Sequence, residues 1–329
     1  MGFRIRRLTG SAVPFNLATV LALLLGTIAH AQDKTVPPKG TKPDALKTGL
    51  LLNDSKAFQG YTLFSPLNFK KTFLIDMEGK VAHTWEGAAT PASCAVLLEN
   101  GNLLRPCLYE EKKTPFGTGG GAGGRVQEFT WDGELVWDFQ VANDKQLAHH
   151  DVRKLPNGNL LMIVGEMKSA QEAADAGRKA GGNVRADCVI EVRPTGKTTG
   201  EIVWQWHMWD HLIQDVDQAK ANYGDVALHP ERIDINFGPG GGNAAKGGPG
   251  KGGVDWTHTN AIDYSAELDQ IMLSVHNFSE LWIIDHATST AEAGAHAGGK
   301  RGKGGDLLYR WGNPPAYRAG VAADQQLFA

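Results

Sequence analysis

Three features of the sequence predict an all-β chain built from repeated four-stranded units. Short apolar stretches alternate with turn dipeptides from Leu50 onward. A two-hairpin pattern returns, with Gly79, Gly133 and Gly196 in matching turns about 60 residues apart, enough chain for four strands. An aromatic residue sits near the strand ends, as at Trp85, Trp137 and Trp206. A unit of that size suits a β-propeller blade. A β-sandwich is the rival, but a sandwich does not repeat a two-hairpin unit. Gly is frequent at 41 residues yet has no G-X-Y period, which excludes collagen.

The elements follow in order. Met1–Ala31 read as a signal peptide: Arg4, Arg6 and Arg7 precede an apolar stretch, Leu17–Ile28, and Ala29-His30-Ala31 is a small-x-small cleavage site. The apolar stretch is too short to span a bilayer. The expected location is therefore periplasmic or secreted, with no stable membrane span. Residues 32–49 are polar and rich in Pro and Lys, a flexible tether. The β domain occupies 50–329. Its hairpins turn at Glu78-Gly79, Asn100-Gly101, Asp132-Gly133 and Asn157-Gly158. Asp187–Trp206 and His258–Val275 form a third pair, and Ser279–Thr288 with Gly305–Pro314 begin a fourth. Gly117–Gly124, Gly238–Gly253 and Gly294–Gly305 read as flexible loops. Ala170–Lys179 is a short helical candidate.

A two-residue turn at Asn100-Gly101 would set Cys94 directly across from Cys107, in a pair close enough for a disulfide. Pro106 opposes this, because it cannot donate to the ladder there. The spacing leaves the bridge open, and Cys188 is left over as a buried residue.

Net charge is −3, and the leader holds three arginines and no acid, so the remainder is more acidic still. No basic surplus exists for nucleic acid. The Gly119–Gly124 tract matches a dinucleotide motif in letters only, since a strand follows it and not a helix. No sequence motif holds a metal at ligand spacing.

The histidines carry the functional signal. Aligning the repeats sets His149 on His258 and Asp151 on Asn260. Residues two apart on a strand share a face, so each pair presents an imidazole beside a hydrogen-bonding partner. His150 adjoins the first pair, and His276 ends the next strand. Converging imidazoles can bind an anion, move protons or act as a nucleophile. Arg310 is the best candidate for an anion clamp.

"HHDVRKLPNGNLL", "DWTHTNAIDYSAELDQIMLSVHNFSELWIID" and "LLYRWGNP" resemble the aryl-sulfate sulfotransferase family of exported, six-bladed propellers. The resemblance implies transfer of a sulfuryl group from a phenolic sulfate ester to a phenol. The implied route is ping-pong, through a sulfated histidine and without a cofactor. It implies catalytic roles for His149 or His150 and His258, and substrate binding by Asn260, with His276 where many members have an arginine. The family's nucleophile lies after a segment like Asp324–Ala329. The expectation is a C-terminally truncated member with about four blades. The alternative is a non-catalytic propeller that binds a sulfated or sugar ligand, or a partner protein.

Overall fold

The computed structural model describes residues 48–109, 121, 123–238 and 254–320. The chain divides into two units, Met1–Leu51 and Leu52–Ala329. The leader, nearly all of the tether and Asp324–Ala329 lie outside the described residues.

Four hairpins close through one kind of turn. Asp76, Leu98, Thr130 and Leu155 each donate a backbone N–H to the carbonyl four residues on, at 2.8–2.9 Å, and each accepts from an intervening glycine. The loop therefore holds three residues. Its third residue, Gly79, Gly101, Gly133 or Gly158, has φ between 74° and 88°. A left-handed glycine after a type I turn restores the strand twist, and a side chain there would be strained.

This turn moves the register at Asn100-Gly101 by one residue. Val96 faces Leu104, Leu97 faces Leu103, and Cys107 bridges to Pro91. The Cys94–Cys107 bridge that the spacing left open is thus not formed, and all three cysteines are free thiols. The Cys94 Sγ donates to Asp151 Oδ1 at 3.2 Å, while the Cys107 Sγ donates to Gln127 Oε1 at 3.4 Å.

Strands are the main regular structure of the described residues and helices are few and short, so the fold is all-β. The first sheet holds β1 (Thr62–Phe64), β2 (Lys71–Ile75) and β3 (Val81–Glu86). The second holds β4 (Val96–Leu97), β5 (Leu103–Leu108), β6 (Gly124–Phe129) and β7 (Leu135–Gln140). The third holds β8 (Gln146–Lys154), β9 (Leu160–Lys168), β10 (Val184–Gly196) and β11 (Thr199–His207). Helix α1 (Ala170–Asp175) lies between β9 and β10, where Ser169 and Glu172 close a capping box. An excursion carries the short parallel pair β12 (Leu212–Ile213) and β13 (Ile233–Asp234). β14 (Val254–Asp255) runs parallel beside β10. The fourth sheet holds β15 (Thr259–Ser265), β16 (Gln270–Val275), β17 (Glu280–Asp285) and β18 (Tyr309–Trp311), with α2 (Thr290–Ala293) before β18.

These four sheets are antiparallel meanders in chain order. The repeat length matches the sequence reading, but the phase does not. The sheets begin one hairpin later, so the hairpin Thr72–Trp85 belongs to a three-stranded sheet. The stretch Gly294–Gly305 is also held, contrary to expectation: Gly299 N–H donates to Glu292, and Arg301 pairs with Asp285 at 2.6 Å.

Tryptophans on the last strand of one sheet bond to the next sheet. Trp85 Nε1 donates to Thr130 O at 3.0 Å, Trp137 Nε1 to Thr199 O at 3.2 Å, and Trp204 Nε1 to Thr288 Oγ1 at 3.1 Å. Each indole buries apolar area and spends its one donor across the seam. The sheet faces pack into apolar clusters around Ile163, Val189, Trp206 and Trp282, and around Leu104, Met162 and Ile190.

A polar clamp joins the third and fourth sheets. His286 Nε2 lies 2.9 Å from Glu191 Oε2, and its Nδ1 lies 2.6 Å from Asp269 Oδ1. Burial disfavours the imidazolium, but the bonds to Glu191 and Asp269 outweigh it and raise the His286 pKa. A folded pKa above the unfolded value of about 6.5 gives stability that is complete below that pH. The contribution disappears as pH rises through the folded value. His286→Gln should therefore flatten the fall in stability above neutral pH, read from urea midpoints across a pH series. An unchanged slope would show that the clamp contributes nothing.

Candidate functional site

The site forms where β8, β10, β14 and β15 meet. β8 breaks its pairing with β9 between Ala148 and Val152, so residues 149–151 bulge from the ladder. β15 has a bulge at Asn260, between Thr259 and Ala261. Such bulges re-aim side chains beside sites. His150 has φ 54° and His258 has φ 52°. A left-handed backbone at a histidine carries strain that the surroundings must hold. The shared conformation makes His150, and not His149, the counterpart of His258.

Several contacts hold the His150 peptide. Its N–H donates to Gly121 O at 2.8 Å, and Ser93 Oγ donates to its carbonyl. Asp151 accepts from Val152 N–H at 2.9 Å and from Ile262 N–H at 3.1 Å. Asp151 is therefore a backbone tie between β8 and β15, not an imidazole partner.

The rings converge. His149 and His150 centroids are 5.1 Å apart, His150 and His258 4.7 Å, and His258 and His276 5.3 Å. His149 Nε2 lies 3.0 Å from Asp187 Oδ1, and the two Nδ1 atoms of His149 and His150 are 2.8 Å apart. His258 Nδ1 lies 2.5 Å from Asp255 Oδ2. Arg185 grips that carboxylate with two donors, Nε at 3.1 Å from Oδ1 and a terminal nitrogen on Oδ2.

These neighbours divide the protonation states. Burial, then the charges of His149 and His258, push the His150 pKa down to about 4. The hydrogen bond to Asp255 raises the His258 pKa against burial. Burial opposes ionisation of Asp255, but His258 and Arg185 hold it down at about 2. Burial likewise opposes ionisation of Asp187, and His149 with Thr259 N–H holds it below the usual carboxylate value. At neutral pH His150 is neutral, whereas Asp255 favours the protonated form of His258.

The remaining expected residues divide. His276 joins the cluster, and its Nδ1 is buried without a hydrogen bond. Asn260 occupies the β15 bulge, half-buried. Arg310 is a correction: it is buried against Glu280, with Nε at 3.1 Å from Oε1, and lies over the Tyr317 ring. Its charge is already neutralised, so it is no anion clamp in this structure. Arg185, Asp187 and Asp255 were missed. The signal was the sequence Arg185-Ala186-Asp187, two opposite charges facing one way just before the apolar run Cys188–Ile190.

Gly121 packs directly against the His150 ring, leaving no room for a Cβ. Gly121→Ala should displace the ring and cost about 1–3 kcal/mol of stability by overpacking. The check is a urea midpoint together with the His150 ring NMR signals; wild-type values for both would mean that the loop simply moves aside.

Among the described residues, no helix is long and apolar enough to cross a membrane. Two solved structures are similar in part. A protein of unknown function from Bacteroides caccae shares 10% identity at a TM-score of 0.36, covering 77% of this chain and 58% of that one. Hydrazine synthase from Kuenenia stuttgartiensis shares 10% identity at 0.39, covering 76% and 58%. The chain therefore spans less than two thirds of either structure's length. No curated protein sequence matches. The arylsulfotransferase (ASST) family model matches residues 36–292, which take in every imidazole of the cluster. With most of its length matched, the chain belongs to the arylsulfotransferase family.

Proposed function

We propose that the protein is an exported aryl-sulfate sulfotransferase whose four main sheets are successive blades of a β-propeller. β4, β8 and β15 are the inner strands on this reading. A cavity of about 320 Å³ between them supports it, lined by Val96, Val152 and Ile262, one residue from each strand. The leader Met1–Ala31 supports export. On purification from its native cell the protein should begin at Gln32; an intact mass that retains the leader would oppose export.

The observation that carries the function is the face-to-edge pair of His150, kept neutral by burial, and His258, whose protonated form Asp255 favours. Sulfuryl transfer needs both an unprotonated nitrogen and an acid. The S–O(aryl) bond of the donor breaks as an N–S bond forms at an unprotonated imidazole. The leaving phenolate takes the proton of His258. In the second half a phenol returns that proton to His258 while its oxygen takes the sulfuryl group from nitrogen. His276 and Asn260 hold the sulfate oxygens, and His149 supports His150. Donor and acceptor are a phenolic sulfate and a phenol.

The test is transfer from a chromogenic aryl sulfate to phenol. His258→Ala should lower kcat by about 10²- to 10⁴-fold with the fold intact by circular dichroism. Transfer at the wild-type rate would sink the catalytic reading and leave a ligand-binding propeller.

A further inference from the structure

Two lines of hydrogen bonds run into the imidazole pair, and both start on β10. In the first, Asp187 accepts from His149 Nε2, which leaves one hydrogen between the Nδ1 atoms of His149 and His150. Gly121 packs against the Cε1 and Nε2 edge of the His150 ring. In the second line, Arg185 lies directly opposite Asp255 in the β10–β14 register and holds its carboxylate with two donors. Asp255 in turn accepts from His258 Nδ1. That leaves His258 Nε2 as the free position of its ring among the described residues.

Arg185 and Asp187 are two apart on one strand and therefore face the same side. The strand is pinned on both flanks. Trp256 N–H donates to Arg185 O at 3.0 Å, and Thr259 N–H donates to Asp187 Oδ2 at 2.7 Å. Each carboxylate thus ties a strand of the site to β10 while it orients an imidazole.

We propose that Arg185 and Asp255 are positioning residues: Arg185, through Asp255, presents the Nε2 hydrogen of His258 to the substrate. The inference rests on the sulfuryl-transfer reading for its catalytic consequence, but not for the hydrogen-bond assignment.

The groups facing His258 are Asp255 on β14, Arg185 and Asp187 on β10, His149 and His150 on β8, and His276 after β16. Removing the Asp255 charge leaves Arg185 and the other imidazoles against His258, so the sign of the change is fixed. Its proton is lost at lower pH, and the alkaline limb of the rate profile moves down with it.

The experiment uses the full chain and the variants Asp255→Asn, Asp255→Glu and Arg185→Gln. Imidazole ¹⁵N NMR reads the tautomer and titration of His150 and His258, and turnover of a chromogenic aryl sulfate reads the rate. Asp255→Asn should lower the His258 titration midpoint by about one pH unit or more. It should also lower kcat roughly 10- to 100-fold with KM nearly unchanged. Asp255→Glu should restore both readouts in part; Arg185→Gln should lower kcat but raise the His258 midpoint, because the guanidinium opposes the imidazolium charge. An unshifted His258 midpoint in folded Asp255→Asn overturns the proposal. If the wild-type protein transfers no sulfate, the functional reading fails, while the NMR titration still decides the positioning roles.

Discussion

Asp187 is the group on which the site's geometry depends. It is almost fully buried, at 2% exposure, yet it is charged. A carboxylate in that position is tolerable only if its lone pairs are filled. One oxygen takes the His149 ring and the other the Thr259 amide, so the charge is neutralised by two elements from different sheets. The cost of leaving that charge unpaired fixes β8 and β15 to β10. The left-handed turns at His150 and His258 are held by this cross-tie together with the Ser93 and Asp151 contacts. Strain at the two histidines and saturation of one acid are parts of a single arrangement.

Much of the architecture was legible because turns carry strong local chemistry. Each of the hairpin turns Gly79, Gly101, Gly133 and Gly158 was placed from its dipeptide, and the repeat length followed. The register was not legible, since a two-residue and a three-residue loop share the same Asn-Gly letters and differ only in backbone torsions. That one-residue difference decided the fate of Cys94 and Cys107. The phase of the sheets was hidden for a related reason. A hairpin is a local object, but its assignment to one sheet or the next depends on partners such as Trp85 and Thr130 that are distant in sequence.

The candidate site shows the same division. His149, His150, His258 and His276 are recognisable as a group from the repeat alone, and the structure gathers them. Their partners were harder to read: Asp187 reaches His149 through a tertiary contact, and Asp255 lies three residues before His258, where spacing alone does not show that the two side chains meet. Arg310 misled for the opposite reason: an arginine beside an aromatic pair looks like an anion clamp, yet here Glu280 is buried on the same sheet and claims it. Charge in a sequence indicates what a side chain offers, and burial of the opposite charge decides who receives it.

The three unpaired thiols have a consequence for handling and folding. Burial, aided by Asp151, pushes the Cys94 thiol up to about 12, and burial does the same to Cys107; Cys188 is also raised. At neutral pH only about one Cys94 in 10⁵ is then a thiolate, the species that attacks disulfides. Once the chain has folded, an odd number of cysteines ceases to be a hazard in an oxidising medium, because exchange with other disulfides lacks a nucleophile. The vulnerable interval is the time before the sheets close, when all three thiols still have ordinary reactivity. Folding itself is the protection against mispairing, and its speed sets how much of the chain escapes cross-linking.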